Sequence, residues 1–320
     1  MSATEPQRAP WAAPDPAKEP AHALVIGAGA MGAGIAMVFA AAHWRVSVID
    51  PSDRARGNLV RTMAESMARL GQTLNSDLVS THDRIEAADW SSVAIAIESA
   101  VEDLDVKRRC FAEMQRVAPA GIPLASNSTG YPIGAIAEGL EGRDRMVGIH
   151  FLMPAQFVPL VEIIPGAETA AALVPALQAL LRALGKRPVL VRKPIIGFLA
   201  NRMQSALMRE ALSLIDRGLA TPEDVDTAVR FGFGFRYAAA GPIVQKEHSG
   251  WEISYSLYQK VFPDLCNDAA PSAQLERMIA DGHFGMKSGR GFFAWDEDSI
   301  AAEKQRYETA LQDALTILKR

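Results

Sequence analysis

A glycine-rich turn between an apolar strand and an apolar helix constrains this chain more than any other feature. Ala23-Leu24-Val25-Ile26 runs into Gly27-Ala28-Gly29-Ala30-Met31-Gly32, and a helical stretch rich in Ala, Met and Phe, 35–42, leaves it. Beyond that helix, Val46-Ser47-Val48-Ile49 ends in Asp50. Strand, glycine turn, helix, strand and acid in this order mark a βαβ unit that binds a dinucleotide. Gly27 permits the tight turn, Gly29 lets a pyrophosphate approach the backbone, and Gly32 lets helix and strand pack closely. The helix start, with Ala30 and Met31, offers free N–H groups to phosphate. Asp50 is placed to accept hydrogen bonds from the adenosine ribose, which favours NAD over NADP. Arg54 and Arg56 lie near enough to hold a 2′-phosphate, but the acid comes first. A packed βα unit with no ligand is the competing reading.

Residues 23–42 carry no charge and are long enough to cross a bilayer. The turn accounts for their glycines, no positive cluster flanks them, and no membrane role is expected. A formal net charge of −4 without a long basic run argues against nucleic acid. Cys110 and Cys266 stand far apart in no metal or redox spacing, as expected of free thiols in a cytoplasmic protein without a metal. Residues 1–20 are rich in Pro, Ala and charge, with no apolar run like that of a secretory leader. They read as a disordered tail with Trp11 its only sticky residue.

From 21 to 193 strands alternate with helical stretches, at 23–26, 45–49, 93–97, 122–125, 146–150, 160–164 and 188–191. That alternation predicts an α/β fold, a Rossmann-type doubly wound sheet that is largely parallel. After Lys193-Pro194 the strand signal stops. Helices are predicted at 199–217, 222–230, 242–261 and 271–281, with openings at Thr221-Pro222-Glu223 and Gly241-Pro242. Residues 194–320 therefore read as an all-α domain.

Two carboxylates interrupt apolar strands. Glu162 in Leu160-Val161-Glu162-Ile163-Ile164 shares a strand face with Leu160 and Ile164 and must find a cation or donor. The nearest candidate is His150, at the end of Met146-Val147-Gly148-Ile149-His150. An imidazole held by a carboxylate is a general base, and a buried structural pair fits the same pattern. Glu98 ends the strand at 93–97, on the sheet edge where open α/β sheets bind ligands. Ser126-Asn127-Ser128-Thr129-Gly130 follows the next strand at that edge. Loop capping is the alternative for both.

Several blocks occur in one order: the glycine turn, Glu98 to Lys107, and Ser126-Asn127-Ser128-Thr129 come first. They are followed by Gly148-Ile149-His150-Phe151 with Leu160-Val161-Glu162, then Gly197-Phe198-Leu199-Ala200-Asn201-Arg202, then Gly285 to Phe293. Together they resemble the 3-hydroxyacyl-CoA dehydrogenase family. The resemblance implies NAD, with His150 as the base, Glu162 as its orienting partner and Asn201 as a donor near the reacting oxygen. Thr129 falls where the family commonly has a serine that contacts substrate and nicotinamide. Glu102, Lys107 and Lys287 fall at NAD-contacting positions, and Asn127 at the same edge joins them.

Three departures bear on substrate. The family's usual Phe-Phe-Asn-Pro after the histidine is Phe151-Leu152-Met153-Pro154 here. The stretches 157–165 and 232–242 are similar to the branch containing gulonate 3-dehydrogenase, lambda-crystallin and carnitine dehydrogenase, whose members act on free small 3-hydroxy acids. No lysine occurs between Lys18 and Lys107, where acyl-CoA enzymes of the family hold the CoA nucleotide with lysines. Arg236, in an aromatic, glycine-rich turn, is then a candidate clamp for a substrate carboxylate, or else a structural ion pair. The expectation is an NAD-dependent dehydrogenase that interconverts a free 3-hydroxy acid and its 3-keto acid, as a homodimer. A dehydrogenase of the CoA thioester is the first alternative, and a non-catalytic NAD-binding protein the second.

Overall fold

The structure of the chain, a computed structural model, describes residues 11–14 and 21–318. It divides into two compact units, one ending at Ala200 and one beginning at Asn201.

The first unit contains the strands β1 (His22–Ile26), β2 (Arg45–Ile49), β3 (Val79–His82), β4 (Val93–Glu98), β5 (Leu124–Ser126), β6 (Met146–Phe151), β7 (Leu160–Pro165) and β8 (Arg187–Leu190). They form one sheet in the order β3-β2-β1-β4-β5-β6-β7-β8. β6 and β7 pair antiparallel, and all other neighbours pair parallel. The chain reverses direction across the sheet between β1 and β4, the switch point at which such sheets bind ligands. The sequence did not predict β3. Val79-Ser80-Thr81-His82 is short, half-exposed and mostly polar, so it carries no apolar run, and it is held only as an edge strand on β2.

Strand side chains alternate between two cores. Ala23 and Val25 join the cluster under α1 (Ala30–Ala41), α2 (Asp53–Arg69) and α5 (Leu173–Ala183). Leu24 and Ile26 join the cluster under α3 (Leu104–Val117) and α4 (Ile133–Ile136). Trp11 and Ala13 pack against the first cluster, which corrects the expected disordered tail over residues 11–14. Each can bury apolar surface there that a free tail would leave in water. The rest of the expected tail lies outside the described residues. The uncharged stretch 23–42 is mostly β1, the glycine turn and α1, and no described helix is long and apolar enough to cross a membrane.

The second unit is helical: α6 (Ala200–Asp216), α7 (Pro222–Ala228), α8 (Gly234–Tyr237), α9 (Pro242–Glu247), α10 (Trp251–Val261), α11 (Ala273–Ala280) and α12 (Glu297–Leu318). At α7, Thr221 and Asp224 form a reciprocal capping box with Pro222 in the first turn. The single helix predicted over 242–261 is instead α9 and α10, divided near Gly250, whose φ of +87° no right-handed helix accommodates. Helix α12 was not predicted. It buries no residue, so no core-facing apolar stripe marks it in the sequence.

Candidate active site

The glycine turn is shaped by contacts that only glycine permits at two of its three positions. Gly27 has φ +102°, and a Cβ there would stand 2.4 Å from the Ser99 carbonyl oxygen. A Cβ on Gly32 would stand 1.8 Å from the Gly27 carbonyl oxygen. Gly29 faces open space, with no atom within 4 Å of the position its Cβ would take. The first helical bond of α1 runs from Ala33 N to Gly29 O at 2.9 Å, so the N–H groups of Ala30, Met31 and Gly32 have no helical acceptor. No acidic side chain occupies that first turn. Asp50, at the end of β2, accepts from Ala28 N and Ser52 N, each at 2.8 Å, and each oxygen keeps a lone pair. Arg56 is bound to the Asp50 carbonyl and to Asp53, so it is engaged away from a 2′-phosphate. These residues fit an NAD pyrophosphate and ribose.

At the neighbouring sheet edge a buried acid–base network joins the ends of β4 and β5. Glu98 is fully buried and accepts from Lys107 Nζ at 2.9 Å, Ser126 Oγ at 2.6 Å and Ala100 N at 2.7 Å. Lys107, 1% exposed, also pairs with Glu102 at 3.1 Å. Glu102 Oε1 receives Ser128 Oγ, Thr129 N and Gly130 N at 2.7, 3.0 and 2.7 Å. Burial opposes its charge, yet the bonds from Ser128, Gly130 and Lys107 hold its carboxyl below the usual range. Lys107 and Glu102, expected as cofactor contacts, are seen here setting the loop that carries Thr129. Asn127 is similarly engaged, accepting from Phe151 N at 2.8 Å through Oδ1.

His150 on β6 and Glu162 on β7 lie directly opposite in the antiparallel register. His150 Nδ1 and Glu162 Oε2 are 2.7 Å apart, and both side chains are almost fully buried. The other oxygen, Oε1, accepts from Leu199 N at 2.8 Å and Ala200 N at 3.0 Å. Burial works against the charge on Glu162, but bonds from His150, Ala200 and Leu199 outweigh it and hold the carboxyl below its ordinary value. An ionised carboxylate only accepts, so Nδ1 carries the proton of the neutral ring and Nε2 presents a lone pair. Nε2 faces the exposed Thr129 hydroxyl at 3.4 Å. The Phe198 ring lies 5.3 Å from the imidazole, on a backbone with φ +48°, rare for a bulky residue. The sequence reading assigned no role to Phe198, to the Leu199 and Ala200 N–H groups, or to Ser128; only the hydroxyl of Ser128 at the sheet edge was a usable signal.

Asn201, Arg236 and Lys287 belong to the second unit. Asn201 is half-buried near the start of α6, and Arg236 is exposed on α8 with no ion pair among the described residues. Lys287 Nζ lies 5.1 Å over the Phe284 ring. Among the described residues no group of three or more His, Cys, Asp or Glu side chains is disposed to hold a metal.

Residues 22–194 match the NAD-binding domain of 3-hydroxyacyl-CoA dehydrogenase, and residues 197–295 match its C-terminal domain. The chain belongs to the 3-hydroxyacyl-CoA dehydrogenase family. It is an NAD-dependent oxidoreductase acting on a hydroxyl group. Among its relatives in that family, 5-formyl-3-hydroxy-2-methylpyridine 4-carboxylate 5-dehydrogenase of Mesorhizobium japonicum is 32% identical, over 91% of this chain and 97% of the relative. A crystal structure of an enzyme of that activity, described as an NAD+ dependent dismutase, superposes with a TM-score of 0.87 at 30% identity, covering 94% of this chain and 99% of that one. L-carnitine dehydrogenase of Streptomyces coelicolor is 34% identical over 71% of this chain and 73% of its own length.

Proposed function

We propose that the protein oxidises the 3-hydroxyl of a small, free 3-hydroxy acid to the 3-keto acid, reversibly, with His150 as general base. The observation that carries this reading is the pair itself: a carboxylate 2.7 Å from Nδ1 leaves Nε2 as the proton acceptor, facing Thr129. Bound NAD supplies the hydride acceptor. His150 Nε2 takes the hydroxyl proton, and Glu162 stabilises the imidazolium that forms. Thr129, and Asn201 from the second unit, donate to the substrate oxygen. Gly27, Gly29, Ala30, Met31, Gly32 and Asp50 hold the dinucleotide, with Glu102, Lys107, Asn127 and Lys287 around it. Arg236 is the carboxylate clamp. The protein acts in the cytoplasm as a homodimer.

The free acid is preferred to the CoA thioester because α2 carries no lysine and because of the similarity to L-carnitine dehydrogenase. A second substrate reading is favoured by the pyridine-aldehyde relative, which aligns along nearly its whole length. The hydrate of an aldehyde offers the same H–C–O–H unit to a base, and its oxidation gives a carboxylate. One panel decides: free 3-hydroxy acids, their CoA thioesters and aromatic aldehydes that bear a carboxylate, each followed by NADH formation. The expected result is turnover of free 3-hydroxy acids. Turnover of thioesters alone overturns the free-acid reading, and turnover of aldehydes alone replaces it with the second.

A further inference from the structure

Lys186 is a buried cation that the proposed chemistry does not use. It lies in the turn between α5 and β8 and is 5% exposed, with no carboxylate in ion-pair reach among the described residues. Its Nζ donates to the carbonyl oxygens of Ala155 at 2.5 Å and Val158 at 3.0 Å. Neither oxygen has another donor among the described residues. Next to it, Arg187 N donates to Pro159 O at 2.8 Å. All three acceptors belong to residues 152–159, the connection between β6 and β7, and so between His150 and Glu162. The same connection is held elsewhere by Gln156 Nε2, which donates to Ser66 Oγ on α2 at 3.0 Å, and by the buried Phe157.

An apolar side chain would fill this space without the cost of a desolvated charge. Burial indeed pushes the Lys186 ammonium down to about 8. What lysine adds is a set of N–H donors long enough to reach two carbonyls at once. We propose that Lys186 is a positioning residue, which fixes the bend between the two strands of the dyad by binding Ala155 O and Val158 O. The proposal rests on the reading of His150 and Glu162 as the catalytic pair. Their 2.7 Å contact is sensitive to that bend, since a displacement of about 1 Å at a reacting group costs on the order of a hundredfold in rate. The role is that of a donor and not of a charge. A neutral amine keeps two N–H groups for two acceptors, so titrating Lys186 through about 8 leaves the dyad aligned, whereas removing the donors does not.

The test compares Lys186→Met and Lys186→Arg in the full chain by two readouts. The first is the downfield proton resonance of His150 Nδ1–H on Glu162, assigned by its absence in His150→Gln. The second is kcat with the best substrate of the panel, alongside the Kd for NADH. In Lys186→Met the resonance is expected to shift or broaden and kcat to fall by at least about tenfold, with the Kd for NADH within about twofold. Lys186→Arg, which keeps the donors, restores both. A folded Met variant with an unaltered resonance and kcat overturns the proposal, even if its melting temperature has dropped. If the Met variant does not fold, the Arg variant decides: folded but without the resonance, it contradicts the donor role. If the wild type turns over no substrate, the function fails but the resonance still decides the role of Lys186.

Discussion

At the scale of single residues, the proposed chemistry depends on Glu162 remaining ionised inside an apolar strand. Three donors achieve this, and two of them are backbone N–H groups at Leu199 and Ala200. Replacing the carboxylate by an amide keeps the shape but removes the charge that stabilises the imidazolium. Glu162→Gln is therefore expected to lower kcat by about a hundredfold while NADH still binds, as read by fluorescence titration beside steady-state rates. The His150–Glu162 contact was legible because a carboxylate in Leu160-Val161-Glu162-Ile163-Ile164 must find a partner. Its outer support was not. Nothing local announces that Phe198 takes a positive φ, or that the following two N–H groups turn toward a strand 37 residues upstream.

At the scale of elements, the βαβ unit makes its three glycines separable. Gly32→Ala places a Cβ where the Gly27 carbonyl already lies, so the helix must move off the strand and stability should fall by about 2–3 kcal/mol. Gly29→Ala meets nothing in the protein and should leave the melting temperature unchanged, yet weaken NADH binding about tenfold or more by crowding the pyrophosphate. Urea unfolding and NADH titration of both variants check the pair; loss of stability in Gly29→Ala, or of neither property, contradicts this division. Most strands declared themselves through buried apolar runs. Edge strand β3 did not, being mostly polar, and neither did α12, which buries no side chain. Elements held by pairing or propensity alone leave no periodic trace.

At the scale of the whole molecule, the sheet contains a polar seam at its N-terminal edge. His22 lies between Ser92 Oγ at 3.2 Å and Ser47 Oγ at 2.8 Å, and Ser47 continues to Ser80 at 2.8 Å. Burial, with Arg45 nearby, pushes the imidazole from 6.5 down to about 4. Between those values the unfolded chain binds the proton more readily, so stability is complete above about 6.5 and declines as pH falls toward about 4. The loss attributable to His22 is of the order of 3 kcal/mol, and urea midpoints across that window should depend less on pH in His22→Asn. The second unit leaves Met203, Met208, Phe231, Phe235, Ile243 and Ile253 more than half exposed, which supports the proposed homodimer. Light scattering on the eluting protein should give twice the chain mass, and a monomer at micromolar concentration contradicts that. The central proposal is the proton transfer at His150. The most direct test is His150→Gln, assayed for NADH binding and for turnover on one sample. The account predicts unchanged NADH affinity with a rate lowered by about a thousandfold; a rate equal to that of the wild type contradicts it.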